Sequence, residues 1–188
     1  MSTTRTQRIG IWIIAVVLAV GTIGSFFIVI LANDNDKKDQ QTAQKQYQEQ
    51  LEAYKKMQAE AQKANRPLDG FEATPFEKDS VTELKVETLK EGSGVVLSAD
   101  SSITANYFGW TYDGAIFDST NKNGKVSPID FSLSGVIEGW TKGLTGQKVG
   151  STVRLTIPAE QAYGSNDDGS GRPVGPLMFV VEIKDLKK

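Results

Sequence analysis

The chain has 188 residues, a net charge of −2 at pH 7, and neither histidine nor cysteine. That composition excludes disulfides, thiolate zinc sites, thiol nucleophiles, Ser-His-Asp triads and imidazole acid–base steps. The near-neutral charge gives no general pull toward nucleic acid or anionic lipid.

From Ile9 to Ala32 no residue is charged, and Ile, Val, Leu and Phe dominate. As a helix this run reaches about 36 Å, enough for a hydrocarbon core of about 30 Å. A secretory signal has an apolar region of only about 7–15 residues. Ile30-Leu31-Ala32 is a poor cleavage site, and no cysteine follows for lipid attachment. The expectation is an uncleaved transmembrane helix at 9–32. Arg5 and Arg8 precede it, so residues 1–8 stay in the cytoplasm and the rest lies outside.

Residues 36–64 hold strong helix formers and no Gly or Pro. Asp34 and Asp36 suit a helix start and Pro67 marks the stop. The segment 33–66 therefore reads as a helical stalk, roughly 40 Å long if fully helical. Tyr47, Leu51, Tyr54 and Met57 form a thin stripe, read either as a short coiled-coil seam giving a weak dimer or as part of a solvated surface. Residues 67–79 mix Pro, Gly and acidic side chains and read as a linker. Phe71 and Phe76 are placed to fold onto the domain that begins near residue 80.

From residue 80 the pattern changes to period two. Leu84 and Val86 alternate with polar residues, as do Val153, Leu155 and Ile157, and Leu177, Phe179, Val181 and Ile183 share a face. Short strands separated by Gly and Asn-Gly turns predict an antiparallel sheet. Gly92-Ser93-Gly94 reads as a hairpin turn. The segment NDDGSG reads as a turn too, since it lacks the alternating ligands and distal Glu of a calcium loop. One short helix is expected at 137–144, where Ile137, Trp140 and Leu144 share a face. One helix on one sheet is an α+β arrangement. Trp140 sits between Gly139 and Gly143, which would let the helix approach its neighbours closely. Tyr107, Phe117, Phe131, Tyr163 and Phe179 lie on strand ends or turns. Either these rings make the core or they line a small-ligand or peptide pocket floored by Trp140.

Three stretches, NYFGWTYDGAIFDST, FSLSGVIEGWTKGLTGQKVGSTVRLTIPAEQAYG and PLMFVVEI, resemble in order the motifs of the FKBP-type peptidyl-prolyl cis-trans isomerases. The resemblance covers about residues 80–188. It implies a curved antiparallel half-barrel sheet of five to six strands around one short helix, with a pocket for a proline ring. Its implied substrate-binding residues are Tyr107, Phe117, Phe131, Val136, Trp140 and Phe179, with Ile129 where the family often has an aromatic. Its implied catalytic residues are Tyr163, Asp118 and Ile137. The Tyr163 hydroxyl and the Ile137 N–H would fix substrate carbonyls, and Asp118, bonded to Tyr107, would orient the pocket. The loop before Val136 is two residues shorter than the commoner spacing. A family arginine that accompanies the aspartate has no clear match, and Lys122 and Lys125 are the candidates for its place. The flap at 165–176 lacks the isoleucines that often grip ligand.

The resemblance implies an isomerase assisting folding of extracytoplasmic proteins. Its partners would be proline-containing unfolded or nascent chains, together with macrolides of the rapamycin type. No metal or cofactor is expected, because rotation about an amide breaks no bond to hydrogen. The alternatives are a non-catalytic module that binds proline-containing or unfolded chain, and an assembly element built on the stalk.

Overall fold

The computed structural model describes residues 37–167 and 169–187. The apolar run 9–32 expected to span a membrane lies outside the described residues. No helix among the described residues is long and apolar enough to cross a membrane. The chain divides into two units, one ending at Lys56 and one beginning at Met57.

Helix α1 runs from Lys37 to Lys63; Asn65–Arg66, read as the end of the stalk, instead form a short strand because they pair with Asn121–Lys122. Lys45 and Glu49 form an exposed i,i+4 pair at 3.9 Å, a contribution of only about 0.3–0.5 kcal/mol. Lys63 in the last turn complements the negative end of the helix dipole.

In the second unit, strands β1 (Asn65–Arg66), β5 (Asn121–Lys122) and β6 (Lys125–Val126) form a small sheet in the order β1-β5-β6. The main sheet has six strands: β2 (Lys85–Lys90), β3 (Ser102–Thr111), β4 (Ile116–Ser119), β7 (Ile129–Ser132), β8 (Thr152–Ile157) and β9 (Leu177–Lys187). Its order is β2-β8-β9-β3-β4, with β7 also pairing β3. Every pairing is antiparallel. One edge of β3 is shared: Ser102–Ala105 pair with β7, and Phe108–Trp110 with β4. That sharing puts β4 and β7 along one edge of one strand, where their aromatics can serve a single cleft.

The two faces of β9 separate as the alternation requires. Leu177, Phe179, Val181 and Ile183 enter the core that also holds Trp140 and Leu144. Val180 enters a second cluster on the other face with Phe108, Trp110 and Leu68. Phe71 and Phe76 of the segment between the helix and the sheet pack on this second cluster. The Trp110 indole N–H donates to the Thr74 carbonyl at 2.9 Å, and the Phe76 N–H to the Tyr112 carbonyl at 2.9 Å. The segment read as a linker thus covers apolar surface that a one-layer sheet would leave wet.

Helix α2 spans Glu138–Leu144. Seven residues are too few for a helix to hold itself in water, so its stability comes from packing. Gly139 and Gly143 face β8: a methyl at Gly143 would lie 2.7 Å from Leu155 Cδ2, and one at Gly139 would collide with Ile157 Cγ2. The glycines are there for close approach, and the approach buries Trp140 to 5% exposure.

Two expectations change. Gly92-Ser93-Gly94 turns no hairpin, since β2 pairs with β8 and not with the next strand. These glycines instead let the chain run against Val149 and Ser151, with the Gly94 N–H donating to the Val149 carbonyl at 2.9 Å. Val86 alternates as read but is 42% exposed, because β2 is an edge strand.

Gly139→Ala is expected to lower stability by about 1–2 kcal/mol. The overpacking against Ile157 outweighs the gain in helix propensity of up to about 1 kcal/mol. Urea unfolding of wild type and variant checks this.

Candidate active site

Between α2, the ends of β3, β4, β7 and β9, and the turn at 160–164 lies a cleft of about 710 Å³. Trp140 projects into it from α2. Three rings meet the indole with centroids about 5 Å away: Tyr107 at 5.1 Å, Phe131 at 5.1 Å and Phe179 at 5.2 Å. All three contacts are edge-on, as the aromatic quadrupole favours. Phe117 meets Phe179 in the same way at 5.5 Å. Gly109 makes this last contact feasible, because a methyl there would lie 2.8 Å from Phe117 Cζ and strike the Phe179 ring.

The alternative of rings as core or as pocket wall resolves into both. Trp140 and Phe179 belong to the buried core, and both also line the cleft. Each residue named from the sequence lines it: Tyr107, Phe117, Asp118, Ile129, Phe131, Val136, Ile137, Trp140, Tyr163 and Phe179. Ile129 is 42% exposed and sits at the rim. The shortened loop before Val136 closes as a 3-10 turn, Leu133–Gly135, capped by the Ser132 hydroxyl. The Ile137 carbonyl accepts from the Trp140 N–H at 2.9 Å and starts the helix. The Ile137 N–H donates to no backbone carbonyl among the described residues.

The polar groups cluster on one side. The Tyr107 hydroxyl donates to Asp118 Oδ2 in a short hydrogen bond. Asp118 Oδ1 accepts from the Ser119 N–H at 2.8 Å and from Lys122 Nζ at 3.1 Å. Of the two lysines considered for the family arginine's place, Lys122 stands beside the carboxylate. Burial, reinforced by the Asp118 charge, pushes the Tyr107 phenol well above its ordinary range. The Tyr163 phenol is also raised, by burial and then by Asp118, with Arg172 opposing. Both tyrosines therefore remain neutral donors at physiological pH.

Sequence reasoning missed Arg172, Glu160 and Ala162, which also line the cleft. The Arg172 guanidinium lies 5.5 Å from the centre of the Tyr163 ring. Its one signal was a lone cation in the flap, and nothing in the spacing says which way it folds. The indole N–H of Trp140 is buried without a hydrogen-bond partner among the described residues. Such a group costs roughly 1–3 kcal/mol.

An antiparallel sheet with one short helix and an aromatic cleft between them defines an α+β domain built around a small-ligand or peptide pocket. Residues 95–184 match the model of the FKBP-type peptidyl-prolyl cis-trans isomerases. The FK506-binding protein of Neisseria meningitidis is 37% identical over 103 residues, covering 53% of this chain and 93% of that protein. The chain belongs to the FKBP-type peptidyl-prolyl cis-trans isomerase family. The FKBP-type peptidyl-prolyl cis-trans isomerase FkpA of Escherichia coli is 37% identical over 110 residues, 58% of this chain and 40% of that one. The outer membrane protein MIP of Legionella longbeachae is 37% identical over 108 residues, 56% of this chain and 45% of that one. The chain thus spans less than half the length of the latter two relatives.

The raised Tyr107 phenol carries a stability prediction. Its stabilising effect is present below the ordinary tyrosine value of about 10 and is lost as pH rises through the folded value. Wild-type melting temperature is expected to fall more steeply between about pH 9.5 and 11 than that of Tyr107→Phe, measured by circular dichroism.

Proposed function

We propose that this chain is a membrane-tethered peptidyl-prolyl cis-trans isomerase acting on X-Pro bonds of polypeptides folding outside the cytoplasm. The observation that carries the reading is the box of rings around Trp140, open to solvent through a cleft. The tether rests on the uncharged run 9–32, followed by a stalk that ends with helix α1 at Lys63, a connecting segment reaching to residue 79 and an isomerase domain at 80–188. One matched relative is itself named an outer membrane protein.

Amide rotation is opposed by about 18–20 kcal/mol of lost resonance, so an unaided X-Pro bond turns over in tens to hundreds of seconds. A million-fold acceleration needs about 8 kcal/mol of preferential transition-state stabilisation. Trp140, Phe131, Phe179 and Ile137 hold the proline ring, with Val136, Phe117 and Ile129 completing the walls. The planar amide is more dipolar than the twisted one, so a cleft poor in water raises the ground state more than the transition state. The Tyr163 hydroxyl and the Ile137 N–H fix the flanking carbonyls. Asp118, held by Tyr107 and Lys122, orients the polar side and faces the twisting carbonyl. No proton is transferred in any step. The same cleft would accept a macrolide of the rapamycin type.

The test is acceleration of cis-to-trans conversion in a Xaa-Pro peptide by the full chain in detergent. Tyr163→Phe is expected to lower kcat/KM about tenfold, the value of one transition-state hydrogen bond of roughly 1.4 kcal/mol, with an unchanged circular dichroism spectrum. Peptide binding without acceleration would instead establish the non-catalytic module, and full activity in Tyr163→Phe would remove that hydroxyl from the mechanism.

A further inference from the structure

We propose that Asn65, in the short segment that follows helix α1, is a positioning residue for the Asp118 carboxylate. The proposal rests on the isomerase reading. Asn65 is 5% exposed and its side chain reaches two places flanking Asp118. Its Nδ2 donates to the Ile116 carbonyl at 3.3 Å, at the start of β4. Its Oδ1 accepts from Lys122 Nζ at 2.5 Å, and the same ammonium donates to Asp118 Oδ1 at 3.1 Å.

The backbone fixes this arrangement. Asn65 pairs with Lys122 and Arg66 with Asn121 in the small sheet. The Ser119 hydroxyl donates to the Arg66 carbonyl at 2.6 Å, and Asn121 Nδ2 to the Pro67 carbonyl at 2.8 Å. The stretch 116–122 that carries Phe117 and Asp118 is therefore laced to residues outside the region matched by the family model.

The chemistry explains why a second acceptor is needed. An arginine holds a carboxylate with a planar fork that fixes its own geometry, whereas lysine is a point charge on a flexible stem. Lys122 is half exposed, and so is Asp118. Left to itself, such an ammonium samples solvent as readily as the carboxylate. A buried amide oxygen at hydrogen-bond distance orders the ammonium and leaves another of its three N–H groups for Asp118. The ammonium is thus held between the Asp118 carboxylate and an amide from a distant part of the chain.

The experiment uses the full chain. Asn65→Ala is expected to lower kcat/KM for a Xaa-Pro peptide about fourfold, in the range of a lost exposed ion-pair contact. In the Asp118→Asn background Asn65→Ala has almost no further effect, because the group it positions is already gone. Wild-type activity in Asn65→Ala, or an equal loss in both backgrounds, would overturn the proposal. The 13C resonance of the Asp118 carboxyl gives a readout free of turnover: it moves in Asn65→Ala. An unmoved resonance overturns the proposal even if the wild-type chain proves to be no isomerase, a result that would separately sink the activity.

Discussion

The cleft exists because helix α2 lies close enough to β8 to bring an indole among the strand aromatics. Gly139 and Gly143 set that distance, one against Ile157 and the other against Leu155. A helix built from better helix formers would stand farther off. Trp140 would then lose its edge-on contacts with Tyr107, Phe131 and Phe179, and the cleft would lose its floor. Local helix stability is given up so that a large apolar side chain can be held where it is both core and pocket wall. The weak backbone around Trp140 is thus a consequence of packing.

The polar side of the cleft obeys a different constraint. A half-exposed carboxylate at the rim of an apolar cleft keeps one orientation only if fixed partners take up its lone pairs. Asp118 meets that need with Tyr107, the Ser119 N–H and Lys122. Lys122 in turn depends on Asn65. The same segment that supports this side also covers the outer face of the sheet, through Leu68, Phe71 and Phe76. The stretch between helix α1 and the sheet therefore performs two structural tasks, one electrostatic through Asn65, which read as the end of the stalk, and one apolar through the connector.

Much of the fold could be read from periodicity because its strands are buried on known faces. Leu177, Phe179, Val181 and Ile183 alternate, and a one-residue slip would have turned them all outward. The helix at 138–144 was legible from Ile137, Trp140 and Leu144. The turn at Gly92 and Gly94 was misread because glycine signals both reversal and close approach, and only tertiary context separates the two. The ring residues of the cleft were legible through the family motifs, since their identity and order survive in the sequence. Arg172 and Asn65 were not. Each reaches the site through a flap or a two-stranded pairing whose partner is distant in sequence, and no local pattern encodes such a contact.

Ring packing and fixed hydrogen bonds, on this view, ease amide rotation without moving a proton. With no histidine or cysteine in the chain and both cleft phenols raised, no cleft donor should change its charge near neutrality. The direct measurement is kcat/KM for a Xaa-Pro peptide as a function of pH, with the full chain. Clear acceleration that stays level within about twofold between about pH 6 and 9 is the expected result. A bell-shaped profile in that range, or no acceleration at any pH, would contradict it.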